Sequence, residues 1–95
     1  MKDKRLDNIL NILVDGYQPT RIILFGSRAN NRDLNYSDYD IAIDLDKTTL
    51  RQKRKVLEQI DEISGLHKID LVYLNEVEEA FRKIILKTGK IIYER

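Results

Sequence analysis

Residues 22–44 read IILFGSRANNRDLNYSDYDIAID, two apolar stretches separated by a polar one. The first stretch, residues 22–25, is β-branched and aromatic and stops at Gly26, which predicts a short buried strand. The second, residues 39–45, predicts another strand. The polar residues 27–37 between them predict a short helical turn followed by a loop. This part of the chain is therefore expected to form a strand, a turn and a strand.

The rest of the chain alternates between helical and extended apolar patterns. Apolar spacing predicts a first helix over about residues 3–15 and another over about residues 50–63, which Gly65 ends. Short apolar runs predict a third strand over residues 69–74 and a fourth over residues 90–93.

One more helix is predicted between the last two strands. Asn75 resembles an N-cap because Glu78 follows three residues later, and Gly89 is a typical helix end. The complete order predicts an α/β domain of α+β character, in which helices cover a small mixed sheet. No linker or repeat divides the sequence, so residues 1–95 are interpreted as a single domain.

Composition excludes several classes of protein. Seventeen Lys and Arg nearly balance sixteen Asp and Glu, and the net charge of +1 argues against stable nucleic-acid binding. The absence of cysteine excludes a disulfide framework and a thiolate nucleophile. Apolar runs of at most four residues are too short to span a membrane. Without a signal-like start, the expected location is the cytoplasm.

Three aspartates form the candidate catalytic and metal-binding group. Asp38 and Asp40 are two residues apart on a predicted strand entry, so their side chains point to the same side. Asp70, near the start of the next strand, joins them if the two strands are neighbours. Carboxylates of this kind suit Mg²⁺, and three of them could hold two ions about 3.5–4 Å apart for phosphoryl transfer.

The candidate phosphate-binding group is Gly26, Ser27 and Arg28. Glycine allows a phosphate to approach the backbone, serine offers a hydroxyl donor, and a helix start attracts anions. The Arg28 guanidinium either contacts the triphosphate or lies on a solvated helix surface. This is not a Walker A loop, because the required Gly-Lys-Ser/Thr spacing is missing.

Gly26-Ser27, ten intervening residues and then Asp38-Tyr39-Asp40 resemble the signature of the DNA polymerase beta-type nucleotidyltransferase superfamily. The later segment KIDLVYL, residues 68–74, supplies the third carboxylate of that signature. The resemblance extends over essentially the whole chain and is closest to the minimal nucleotidyltransferases. Those proteins commonly act as antitoxins of HEPN-type ribonuclease toxins, by transferring AMP from ATP to a toxin tyrosine.

The resemblance implies a protein adenylyltransferase that uses ATP and two Mg²⁺ ions. Asp38 and Asp40 would bind the metals, Asp70 would complete the site and help deprotonate the acceptor, and Gly26 and Ser27 would hold the leaving phosphates. The implied partner is a HEPN-type toxin in a hetero-oligomer.

Two alternatives remain open at this level. One is a nucleotidyltransferase that modifies a small molecule of the aminoglycoside type, which requires an acceptor pocket. The other is a non-catalytic module that binds nucleotide or masks a toxin sterically.

Overall fold

The computed structural model describes residues 4–26, 39–65 and 68–95. Its elements in chain order are α1 (Lys4–Tyr17), β1 (Arg21–Phe25), β2 (Tyr39–Asp44), α2 (Leu50–Ser64), β3 (Ile69–Tyr73), α3 (Glu79–Thr88) and β4 (Lys90–Glu94). The strands form one sheet in the order β3-β2-β1-β4. β1 is antiparallel to both β2 and β4, whereas β2 and β3 are parallel. The predicted small mixed sheet with covering helices is confirmed.

Helices α1 and α2 cover one face of the sheet. Alternate residues of β2 point to this face, where Tyr39, Ile41 and Ile43 are almost completely buried. They pack in one cluster with apolar side chains of α1 and α2, including Leu13 and Val56. The helical spacing of the apolar residues in the sequence is what presents these side chains to the sheet.

Helix α3 covers the other face. Its Ile85 packs with Ile23 of β1, Ala42 of β2 and Leu74, all at least 98% buried. β3 is less completely covered, since each of its residues is only partly buried. Asp40 has the strand parity of Ala42 and therefore belongs to this second face.

The predicted N-cap at Asn75 is wrong. α3 begins at Glu79, with Glu78 at the N-cap position and no side-chain cap. Asn75 instead donates from Nδ2 to the Asp46 carbonyl at 2.8 Å, and the Glu76 N–H donates to the Tyr73 carbonyl in a turn. Asn and Glu at this spacing suit a turn as well as a helix start, and here the chain must turn as it leaves β3. Gly89 ends α3 as predicted.

A hydrogen-bonded network joins α1, α2 and the end of β3. The Tyr17 and Tyr73 hydroxyls are 2.7 Å apart, and their rings meet edge to face. The Lys53 ammonium lies 4.5 Å from the centre of the Tyr73 ring and contacts the Glu76 carboxylate at 2.8 Å. These contacts lie at the C-terminal end of β3 and fix the position of that strand.

None of the helices in the three described ranges has both the length and the apolar character needed to cross a membrane.

Candidate active site

The structure brings Asp40 and Asp70 together. They are directly paired in the register of the parallel strands β2 and β3. Paired residues on neighbouring strands point to the same face of a sheet, and neighbouring strands are about 4.8 Å apart. Both carboxylates therefore lie on the α3 face, near the N-terminal ends of their strands.

Gly26 lies against Asp40 from the end of β1. The last residue of β1, Phe25, is paired with Asp40, so the chain leaves the sheet beside this carboxylate. Gly26 has φ +75°, in the left-handed region that favours glycine. A Cβ at residue 26 would overlap the Asp40 Oδ2 atom and lie 3.2 Å from its Cγ. Only glycine permits this close approach without displacing the Asp40 side chain.

The remaining candidate residues, Asp38, Ser27 and Arg28, lie outside the described residues. The beginning of β2 that follows Asp38 is nevertheless well anchored, because the Tyr39 N–H donates to the Lys68 carbonyl at 2.9 Å. This bond holds the entries of β2 and β3 side by side.

The electrostatic setting of the two carboxylates favours a cation. Both residues are partly buried, and the Asp70 side chain is 43% exposed. The Lys68 ammonium lies 3.9 Å from Asp70 Oδ1, but it is largely exposed, and such surface pairs are weak. Two carboxylates on directly paired residues can share a bound cation.

The donor chemistry of the site fits Mg²⁺, which prefers carboxylate oxygens and completes its shell with water and phosphate oxygens. Within the described ranges, no cluster of three His, Cys, Asp or Glu side chains is assembled that could hold a metal ion. Asp40 and Asp70 supply two of the three predicted ligands. The third, Asp38, lies outside those ranges.

Asp44 shares the face of Asp40 but has a different role. The sequence suggests a surface residue; in the structure its Oδ2 accepts from the Arg21 Nε at 2.8 Å and lies 2.7 Å from Nη2. The two residues are paired across β1 and β2, and both side chains are largely buried. Asp44 therefore joins two strands and is not part of the acidic pair.

An aromatic pair beside the acidic residues is not apparent in the sequence. Phe25, paired with Asp40, meets Phe81 of α3 edge to face, with ring centroids 5.9 Å apart and an interplanar angle of 81°. Because side chains alternate along a strand, the sequence is enough to predict that Phe25 lies on the same face of the sheet as Ile23. The contact with Phe81 depends on where α3 crosses the sheet, which sequence periodicity does not define.

A groove on the far side of the sheet is separate from this site. It runs between α2 and the β3 edge, and its lining includes Leu50, Leu57 and Ile69. Asp40 and Asp70 are not among its lining residues. The groove also has charged lining residues, namely Lys53, Arg54, Glu58, Asp61 and Lys68. The acidic pair is the candidate active site because two carboxylates on directly paired residues suit a divalent cation.

Comparison with solved structures shows the same fold in chains of toxin-antitoxin complexes. One is a toxin-antitoxin crystallised with AMP-PNP, with a TM-score of 0.77 and 22% identity over 94% of this chain and 73% of that one. Another is the complex of a tri-AMPylated Shewanella oneidensis HEPN toxin with its MNT antitoxin, with a TM-score of 0.74 and 21% identity over 100% and 74%. A third, MntA-HepT, has a TM-score of 0.72 and 20% identity over 99% and 74%.

Among curated proteins, no significant match was found. The profile of the family described as "Polymerase beta, Nucleotidyltransferase" matches residues 7–95, nearly the whole chain. This match includes Gly26, Asp40, Asp70 and every strand of the sheet. The chain belongs to the polymerase beta-type nucleotidyltransferase family.

Proposed function

We propose that this protein is a Mg²⁺-dependent adenylyltransferase that moves AMP from ATP onto a tyrosine hydroxyl of a partner HEPN-type toxin. In this proposal, residues 1–95 act as a single minimal nucleotidyltransferase domain with the role of an antitoxin. The observation that supports this proposal most directly is the pairing of Asp40 with Asp70, together with the close approach of Gly26 to the Asp40 carboxylate.

The proposed site assigns separate tasks to its residues. Asp38, Asp40 and Asp70 would hold the metal, and Gly26, Ser27 and Arg28 would hold the leaving phosphates. Bound Mg²⁺ supplies charge neutralisation at the triphosphate. The fixed backbone of β2 and β3 keeps the two described carboxylates in place before substrate arrives, which reduces the cost of organising the site.

The proposed reaction is a direct in-line displacement. The acceptor oxygen forms a bond to the α-phosphorus of ATP while the bond from that phosphorus to the oxygen bridging the β-phosphorus breaks. Pyrophosphate leaves with the bridging oxygen. The acceptor proton passes to the Asp70 carboxylate, which is exposed enough to release it to water afterwards.

The choice of a protein acceptor rests on the relatives and on charge. Several of the structurally similar chains come from toxin-antitoxin complexes, one of them containing an AMPylated HEPN toxin. A net charge of +1 provides little attraction for a polynucleotide. A protein that presents its own tyrosine needs no acceptor pocket in this chain.

The test is transfer of label from α-labelled ATP in the presence of Mg²⁺, with a HEPN-type protein co-expressed with the chain. Label on a partner tyrosine, located by mass spectrometry, supports the proposal. Its absence on the partner, with label on an aminoglycoside, would assign a small-molecule acceptor instead. A partner neutralised equally well by the Asp40→Asn/Asp70→Asn protein would show steric masking without catalysis.

A further inference from the structure

The aromatic ring of Phe81 has an unusual position for an apolar helix residue. It lies in the first turn of α3, on the sheet face that carries Asp40 and Asp70, yet it is 40% exposed. Phe25 holds the ring from one side by an edge-to-face contact. The contact fixes the orientation of the ring while leaving part of its surface available to a ligand.

Phe81 is connected to the acidic residues through Phe25. Phe25 is directly paired with Asp40, and the Phe81 ring contacts the Phe25 ring. In the proposed function the α-phosphate reacts beside Asp40 and Asp70. The nucleoside must then extend away from these carboxylates, and the Phe25–Phe81 pair is an apolar surface beside them.

The described residues cover this face of the sheet unevenly. α3 buries Ile23 and Ala42 on the two central strands, but Val72 of β3 stays partly exposed. Asp70 therefore lies on the less completely covered strand. The exposed part of the Phe81 ring, on the same face, is suited to stack on a flat heteroaromatic group.

A competing explanation is that Phe81 belongs to a protein-docking patch with other exposed apolar residues, such as Ile84 and Ile91. Ile84 and Ile91 are even more exposed than Phe81, but both are aliphatic. Neither has an aromatic ring that could contact Phe25 as Phe81 does. Among the exposed large apolar residues of the described chain, Phe81 is the aromatic one. This difference favours stacking on a base.

We propose that Phe81 is a nucleotide-binding residue that stacks on the base of the bound nucleoside triphosphate, with Phe25 as the residue that positions its ring. This inference rests on the proposed function and specifies how the same site holds its substrate. Every base has an aromatic face, so stacking contributes to affinity without selecting among bases. We therefore expect similar contributions for ATP and GTP.

The first experiment compares the Mg²⁺ complexes of ATP and inorganic tripolyphosphate by calorimetry, in the wild type, in Phe81→Leu and in the matched control Ile84→Ala. Leucine keeps apolar volume and removes the ring. We expect Phe81→Leu to weaken ATP binding about fivefold to a hundredfold, the range associated with one stacked base. Tripolyphosphate binding should not change, and Ile84→Ala should bind both ligands as the wild type does.

The second experiment uses the absence of tryptophan from the chain. Phe81→Trp keeps a stacking ring and introduces a single tryptophan at the proposed position, whose emission can be excited separately from that of the five tyrosines. We expect ATP to quench its emission and tripolyphosphate to leave it unchanged, with ATP affinity close to that of the wild type. Unchanged tripolyphosphate binding by Phe81→Leu shows that a loss of ATP affinity in that variant is not a failure to fold.

Unchanged ATP affinity in Phe81→Leu would overturn the inference while leaving the proposed function intact. If that variant instead loses only affinity for the co-expressed partner, the ring belongs to a docking surface and the inference is wrong. Failure of the wild type to bind either ATP or tripolyphosphate would remove the proposed function together with the inference.

Discussion

Gly26 and Asp40 occupy adjoining space so closely that a methyl group on residue 26 would overlap a carboxylate oxygen of residue 40. Asp40 lies on β2 and Gly26 directly follows β1, the antiparallel neighbour of β2, where the positive φ of Gly26 turns the chain away. The backbone therefore reaches the acidic pair without a side chain in between. A phosphate held by this backbone would lie close to the carboxylates, so that a cation bound to them could contact its oxygens.

Gly26→Ala is expected to reduce both transfer and stability. The left-handed backbone should cost about 1–3 kcal/mol in the free energy of unfolding, and displacement of Asp40 should lower the transfer rate at least tenfold. Urea unfolding and the labelled-ATP assay measure the two effects.

Gly65→Ala is the control, because Gly65 also has positive φ but its added Cβ would meet the flexible Arg5 side chain. It should lose stability and keep its transfer rate; normal transfer by Gly26→Ala would show that the close approach is not needed.

Asp70→Asn should reduce the transfer rate about a hundredfold to a thousandfold, equivalent to about 3–4 kcal/mol of activation free energy. The amide keeps the shape of the side chain but cannot bind a cation as a carboxylate does. Because Asp70 lies beside Asp40, removal of one charge should leave the free energy of unfolding unchanged or slightly higher.

Asp44→Asn is the matched control for this substitution. Its carboxylate shares the face of Asp40 but is bound to Arg21. The variant should lose about 1 kcal/mol of stability and none of the transfer rate. Equal rate losses in Asp44→Asn and Asp70→Asn would contradict a special role for the paired carboxylates.

The hydroxyl pair of Tyr17 and Tyr73 should respond unequally to removal of either partner. Tyr17 is only 6% exposed, whereas Tyr73 is partly buried, so we expect the Tyr73 hydroxyl to reach water more easily. Tyr73→Phe leaves a buried hydroxyl without its partner and should cost about 1–3 kcal/mol in unfolding free energy. Tyr17→Phe should cost less, and adding it to Tyr73→Phe should cost little further. A double-mutant cycle by urea unfolding tests this, and additive losses would argue against coupling.

Stability should fall at high pH because of Tyr17. Burial is the main cause that raises the pKa of this phenol well above its ordinary value, followed by the hydrogen bond to Tyr73. The unfolded phenol ionises near pH 10, while the folded one keeps its proton. The folded state then binds more protons, so stability is fully present below about pH 10 and is lost as pH rises beyond it. Unfolding at pH 9 and 11 should show a steeper loss in the wild type than in Tyr17→Phe, and equal losses would contradict it.

Local sequence patterns were enough to predict most of the helices and strands. The apolar run of β1 and the alternation in β2 reflect backbone geometry, which repeats every two residues in a strand. The misplaced start of α3 shows the limit of this reasoning. Asn75 and Glu78 have the spacing of a capping box, but the bond from Asn75 to the Asp46 carbonyl joins residues far apart in sequence. Local spacing could not reveal that partner.

The candidate site also has features that follow from local sequence and features that depend on contacts between distant residues. Residue types and strand parity identified Asp40 and Asp70 as carboxylates on a strand surface, because parity depends only on the local chain. That they are paired residue for residue is a property of the β2–β3 register, and the ring contact of Phe25 with Phe81 depends on where α3 crosses the sheet. Hydrogen bonding and packing between distant segments determine both. The local sequence of a strand specifies on which face of the sheet a side chain lies. Only the assembled sheet specifies which residues that side chain contacts.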